Sequence, residues 1–169
     1  MTIAEAFLGE FENEVTTTRK FLERLPEDKL TWKPHEKSKS AGDLALHVAK
    51  IPGQIAQAAI EDEFAMPDGG SPQPKTVREV LDALDESARL VRKILPTFDD
   101  TKMAGNWRLS KDGQQLLAMP RAALLRSIML NHWYHHRGQF GVYLRLMGCQ
   151  VPSSYGPSGD ELPDFMKGK

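Results

Sequence analysis

The chain has 169 residues, with 22 Lys+Arg against 23 Asp+Glu, a formal net charge of −1 and one cysteine. That length is one domain's worth, expected to span residues 1–169, and it buries roughly 70% of the unfolded surface without covalent staples. Balanced charge recommends neither a nucleic-acid partner nor a disordered acidic tail, while the lone Cys149 excludes an intrachain disulfide and a multi-cysteine zinc knuckle and suits a reducing, cytoplasmic compartment.

The opening segment carries acids and no basic stretch, so a secretory signal is not expected there, and no run of about 18 apolar residues offers a transmembrane helix. The first helix is predicted over residues 2–25. Ile3, Phe7, Phe11, Val15, Thr18, Leu22 and Leu25 recur at spacings of three and four, Thr2 and Glu5 form a capping box, and Pro26 ends the run. The second is predicted over 40–63, entered through Ser40 and Asp43, with the stripe Leu44, His47, Val48, Ile51 and Ile55. Pro52-Gly53 interrupts it and predicts a bend, because proline leaves the Val48 carbonyl without its partner.

The Pro/Gly-rich stretch between Met66 and Lys75 reads as a loop. The third helix starts near Thr76, with Glu79 completing a capping box, follows Val77, Val80, Leu81, Leu84, Ala88, Val91 and Leu95, and stops at Pro96. Residues 97–119 are long for a connection. Trp107-Arg108-Leu109 and Gln115-Leu116-Leu117 flank Asp112-Gly113, which predicts either a short hairpin or an irregular loop. A fourth helix opens at Pro120 and ends before Gly148, with Leu125, Ile128, Met129, His132, His136, Tyr143 and Met147 in one broad sector. Residues 149–169 read as an irregular tail. Four amphipathic helices predict an all-α four-helix bundle.

Three of the five histidines fall in Asn131-His132-Trp133-Tyr134-His135-His136-Arg137-Gly138-Gln139. On a helix His132 and His136 stand one turn apart, ~5–6 Å between Cβ atoms, which suits two imidazoles on one ion. Catalytic sites of the zinc type use three protein ligands, and His47, on the apolar stripe of the second helix, is the candidate third. The competing reading is that these are hydrogen-bonded core histidines. His135 competes with His136 but lies on the flank of the apolar sector, which makes it a residue of the rim; His35, beside Pro34, is expected at the surface. The zincin pattern fails because Trp133 follows His132, the inverted form fails at His135, and a di-iron pattern fails at Met129. The expected centre is therefore mononuclear, with no carboxylate base encoded beside it.

Leu44-Ala45-Leu46-His47-Val48, Asn131-His132 with His136-Arg137-Gly138-Gln139, Val151-Pro152 and Tyr155-Gly156-Pro157-Ser158-Gly159-Asp160-Glu161, together with Trp32-Lys33-Pro34, resemble the DinB/YfiT-like superfamily of small bacterial metal-binding four-helix bundles. The matching pieces run in the same order over most of the chain. The resemblance implies a divalent metal held by His47, His132 and His136, a homodimer, and metal-dependent hydrolase, isomerase or thiol-transferase chemistry, some of it with a low-molecular-weight thiol as cosubstrate. Three imidazoles suit zinc or nickel first, with iron, copper or manganese as further candidates. Since no glutamate base is encoded, thiol-dependent S-transfer on a small molecule is favoured over hydrolysis. The rival readings are a stress-response protein with a structural or sensory metal, and a plain helical bundle. Nucleic acid and membrane are not expected partners.

The neighbours of the motif divide similarly. Arg137 reads as a structural cation, capping carbonyls or pairing with Asp160 or Glu161, or else as an anchor for an anionic substrate. Gly138 reads as a point of close helix approach, and Gln139 as a group that orients a ligand imidazole or a backbone group. Trp107, Trp133 and Tyr134 are expected to pack rather than line a pocket, and Cys149 is expected to be inert.

Overall fold

The computed structural model describes residues 1–65 and 73–168, so most of the loop expected between Met66 and Lys75 lies outside the described residues. Helix α1 (Ile3–Leu22) begins in the expected capping box: the Glu5 amide donates to Thr2 Oγ1 at 3.1 Å and the Thr2 amide to the Glu5 carboxylate at 2.7 Å. Helix α2 (Ala41–Ala58) is capped by Ser40 Oγ, and α3 (Val77–Ile94) by Thr76 Oγ1. These side chains satisfy amide donors that the first turn of a helix leaves without intrahelical partners.

Helix α2 runs through Pro52 without ending. The Gly53 amide donates instead to Ser87 Oγ of α3 at 2.7 Å, and a Cβ on Gly53 would stand 2.7 Å from the Ser87 Cα. Helix α2 therefore docks closely on α3 at Gly53. Buried residues surround α2 on most sides, from Leu44, Ala45 and Val48 to Ile51 and Ala56, so it is the central helix of the core. The core also takes Phe11 and Leu22 from α1 and Leu84 and Val91 from α3.

The last long helical rod is not uniform. It starts as α5 (Arg121–Leu124), continues as seven π-helical residues, Leu125–Asn131, and proceeds as α6 (His132–Leu146). Its core-facing stripe is Trp133, Arg137, Phe140 and Leu144, all buried. A wheel drawn at a constant 100° per residue does not hold across the π segment, where hydrogen bonds close a wider turn. His132 and His136 consequently occupy a flank of the rod rather than the centre of its buried face.

The fold is mostly helical but not all-α, which corrects the expectation. Three strands form a mixed sheet in the order β1-β2-β3: β1 (Glu63–Ala65) runs parallel to β2 (Asn106–Lys111), and β2 runs antiparallel to β3 (Gln114–Pro120). The hairpin expected around Asp112-Gly113 is present, with φ of 50° and 74° at its two turn residues, the left-handed values that a primed two-residue turn requires. Helix α2 ends at Ala58, short of the residue 63 expected for it, and strand β1 starts at Glu63. Its three residues are all exposed, so its pairing with β2 left no alternating apolar pattern to read. A short α4 (Asp100–Ala104), capped by Asp99, also fills part of the expected connection.

Arg121 ties these pieces together. It is buried, and its guanidinium donates to the carbonyls of Ala59, Lys102 and Glu61 and to the Asp62 carboxylate. The end of α2, α4 and the approach to β1 thus meet at the start of the last rod. No helix among the described residues is long and apolar enough to cross a membrane.

Candidate metal centre

Helix α2 brings His47 to the flank of the last rod that carries His132 and His136, because Leu44, Val48 and Ile51 are buried around it and hold that part of α2 against its neighbours. The three rings meet at mutual angles of 69–75°, with centroids 5.4 Å apart for His47–His132, 4.7 Å for His47–His136 and 4.5 Å for His132–His136. One nitrogen from each ring lies within 4.8 Å of the other two, and all three residues are half-buried. The group contains no carboxylate and no thiol.

Hydrogen bonding favours particular forms of these rings. Gln139 Oε1 lies 2.9 Å from His136 Nδ1, which as donor leaves the His136 Nε2 lone pair directed inward. That Nε2 stands 2.8 Å from His132 Nε2, a spacing that needs one proton between two lone pairs. His132 Nδ1 is buried and makes no well-formed hydrogen bond among the described residues, although the Ile128 carbonyl one turn earlier favours the protonated ring. Burial pushes His47 down to about 4, and the imidazoles of His136 and His132 and the Lys39 ammonium act in the same direction. His132 and His136 are also lowered, again chiefly by burial.

These features fit a divalent ion. Neutral imidazoles ligate through a free lone pair, and all three are biased toward the neutral form. A tetrahedral ion with nitrogens at ~2.1 Å sets them ~3.4 Å apart, between the 2.8 Å His132–His136 contact and the 4.8 Å limit of the cluster, so modest ring rotations accommodate it. The ion would take the place of the proton shared by His132 and His136. His132 Nδ1 would then carry hydrogen toward the Ile128 carbonyl.

The other candidates fall elsewhere. His135 is exposed with its ring 5.0 Å from that of His136, at the rim as expected, and His35 is exposed with Nδ1 accepting from the Lys37 amide. Arg137 is structural, but its acidic partner is Glu14 of α1 at 2.5 Å, with Thr18 and the Tyr155 hydroxyl also on its guanidinium. Asp160 pairs with Arg145 and Glu161 with Arg24, so the two expected partners of Arg137 are taken. A Cβ added at Gly138 would meet nothing within 4 Å; the close approach occurs at Gly141, where a Cβ would stand 3.1 Å from the Phe21 ring. Trp133 stacks on Phe11, and Tyr134 donates to Glu10 at 2.9 Å, whereas Trp107 both packs and lines a cavity. Cys149 is partly buried, with its Sγ beside the Met147 carbonyl.

Sequence reasoning missed the Glu14 partner of Arg137 and the Glu10–Arg126–Tyr134 network, because both join helices far apart in the chain. Neither leaves a local spacing that could have revealed it.

The family model described as the DinB family matches residues 1–163 of the chain. The Bacillus subtilis (strain 168) protein YrdA is 29% identical over 161 residues, covering 94% of this chain and 92% of that protein. A DinB-like protein from Bacillus cereus ATCC 10987 superposes with a TM-score of 0.70 at 24% identity, covering 89% of this chain and 97% of the other. The DinB-like protein YjoA from Bacillus subtilis gives 0.68 at 20% identity, with 89% and 96% covered. At these identities the structural likeness speaks for the fold.

Proposed function

The chain belongs to the DinB family, and from that premise we propose that it is a metal-dependent enzyme with a mononuclear centre held by His47, His132 and His136, acting in thiol-dependent S-transfer on a small molecule. The observation that carries this reading is the convergence of three imidazole nitrogens within 4.8 Å, from two helices, with no carboxylate in the group. A divalent ion with three histidine ligands and an open position supplies a Lewis acid that lowers the pKa of a coordinated thiol or water. Zinc or nickel suits an all-imidazole set best.

The chain's own residues prepare that chemistry. Burial keeps His47 neutral near pH 7, so no proton competes for its lone pair. Gln139 holds His136 in the form whose Nε2 faces inward, and it orients the ring. The half-buried setting limits access of bulk water to the cluster. With no carboxylate in the group to take a proton from water, a thiol, which ionises readily near neutral pH once polarised, is the better-matched nucleophile.

The cross-link between α2 and α6 also favours a second reading, a non-catalytic protein whose metal is structural or sensory. Elemental analysis of protein loaded with zinc or nickel tests the centre. One ion per chain is expected, lost in His47→Ala and His136→Ala and retained in His135→Ala. A wild-type protein that holds no ion, or alanine variants that hold it unchanged, would sink the proposal. Turnover of model electrophiles with added thiols then separates the enzyme from the structural reading.

A further inference from the structure

A cavity of about 510 Å³ opens between α2, the β2–β3 hairpin and the start of the last rod. Its wall is apolar: Ile55 and Ala58 from α2, Trp107 and Leu117 from the hairpin, and Leu124 and Ile128 from the rod. The polar lining comes from Gln54 and Gln57, both exposed, and no charged side chain contributes among the described residues. Trp107 is held rigidly, because its Nε1 donates to the Ala58 carbonyl at 2.8 Å.

The imidazoles do not line this cavity, but the cavity and the histidine cluster draw on the same two helical elements, α2 and the last rod. Ile128 lies four residues before His132 on the last rod, and Gln54 lies seven residues after His47, two turns along the same face of α2. The two helices therefore carry the histidine cluster and the cavity along one shared groove. The volume suits a small-molecule body, and the apolar wall that the described residues supply favours an uncharged one.

We infer that this cavity seats the apolar body of the substrate, an aryl or branched-alkyl group, while its reacting end reaches the histidine cluster. The inference rests on the proposed metal centre for the reacting end, but the cavity's occupancy is testable apart from it. Leu117 is the useful position: it is 36% exposed on the hairpin, so enlarging it fills the cavity without overpacking the buried core.

Toluene titrated into the protein, followed by calorimetry, should bind saturably to wild type and at least tenfold more weakly to Leu117→Trp, with circular dichroism unchanged. For the metal-loaded protein, benzyl mercaptan should bind at least tenfold more tightly than 2-mercaptoethanol, and Leu117→Trp should abolish that preference while retaining the metal. Should the chain hold no metal, toluene binding lost in Leu117→Trp still supports the cavity, and the failure falls on the metal centre alone. Absence of toluene binding, or equal binding by Leu117→Trp, overturns the inference. Equal affinity for the two thiols overturns the link between cavity and histidines. If sedimentation shows a dimer and toluene binds only to the dissociated monomer, the inference is likewise overturned.

Discussion

His47 combines two demands that a surface histidine does not face. Its ring must enter the core side of α2, and it must remain uncharged there. Burial and the neighbouring imidazoles lower it from an ordinary value near 6.5 to about 4. The unfolded chain therefore takes up this proton first as the pH falls, so the metal-free fold loses stability progressively between about 6.5 and about 4. His132 and His136 are shifted in the same direction and add to the slope. Urea midpoints of metal-free protein should fall between pH 7 and pH 4.5, and the fall should be shallower in His47→Gln. An identical slope in that variant would show that His47 titrates freely. The sequence already singled out this residue by its place on an apolar stripe, and it offered Gln139 as a group orienting a ligand imidazole or the backbone, of which the structure shows the contact with His136. It could not anticipate the 2.8 Å approach of His132 to His136, which depends on side-chain rotamers.

At the scale of elements, the most local expectations held best. Capping side chains at Thr2, Ser40 and Thr76 act within one helical turn, so their spacing alone predicts them, and each makes its bond. Strand β1 and the π segment were not legible, because the first is three exposed residues whose partner lies over forty positions away and the second leaves the residue pattern unmarked. The pairing of α1 with α6 was also hidden. There the buried Arg137 meets Glu14, with side chains 3% and 13% exposed. Glu14→Gln leaves that guanidinium without its counter-charge and should destabilise the fold by about 3–5 kcal/mol in urea unfolding. The metal content of the folded variant should not change. A loss below about 1 kcal/mol would mean that Thr18 and Tyr155 suffice to hold Arg137.

At the scale of the molecule, an ion at the cluster would join α2 to α6 across the core. An ion that binds the native state alone, at a thousandfold excess over its Kd, stabilises it by about 4 kcal/mol. For a chain of this size that raises Tm on the order of 10 °C. Calorimetry with zinc and then with excess chelator should show this shift and its reversal, and His136→Ala should show neither. Membership of the DinB family, the helical segments and the histidines able to meet were all set by local features: apolar periodicity, capping residues, breakers and a short motif. The mixed sheet, the flank position of His132 and His136, the partner of Arg137 and the apolar cavity were decided only by tertiary structure. Each depends on surfaces far apart in the chain being brought together, and contact between distant surfaces has no period to read.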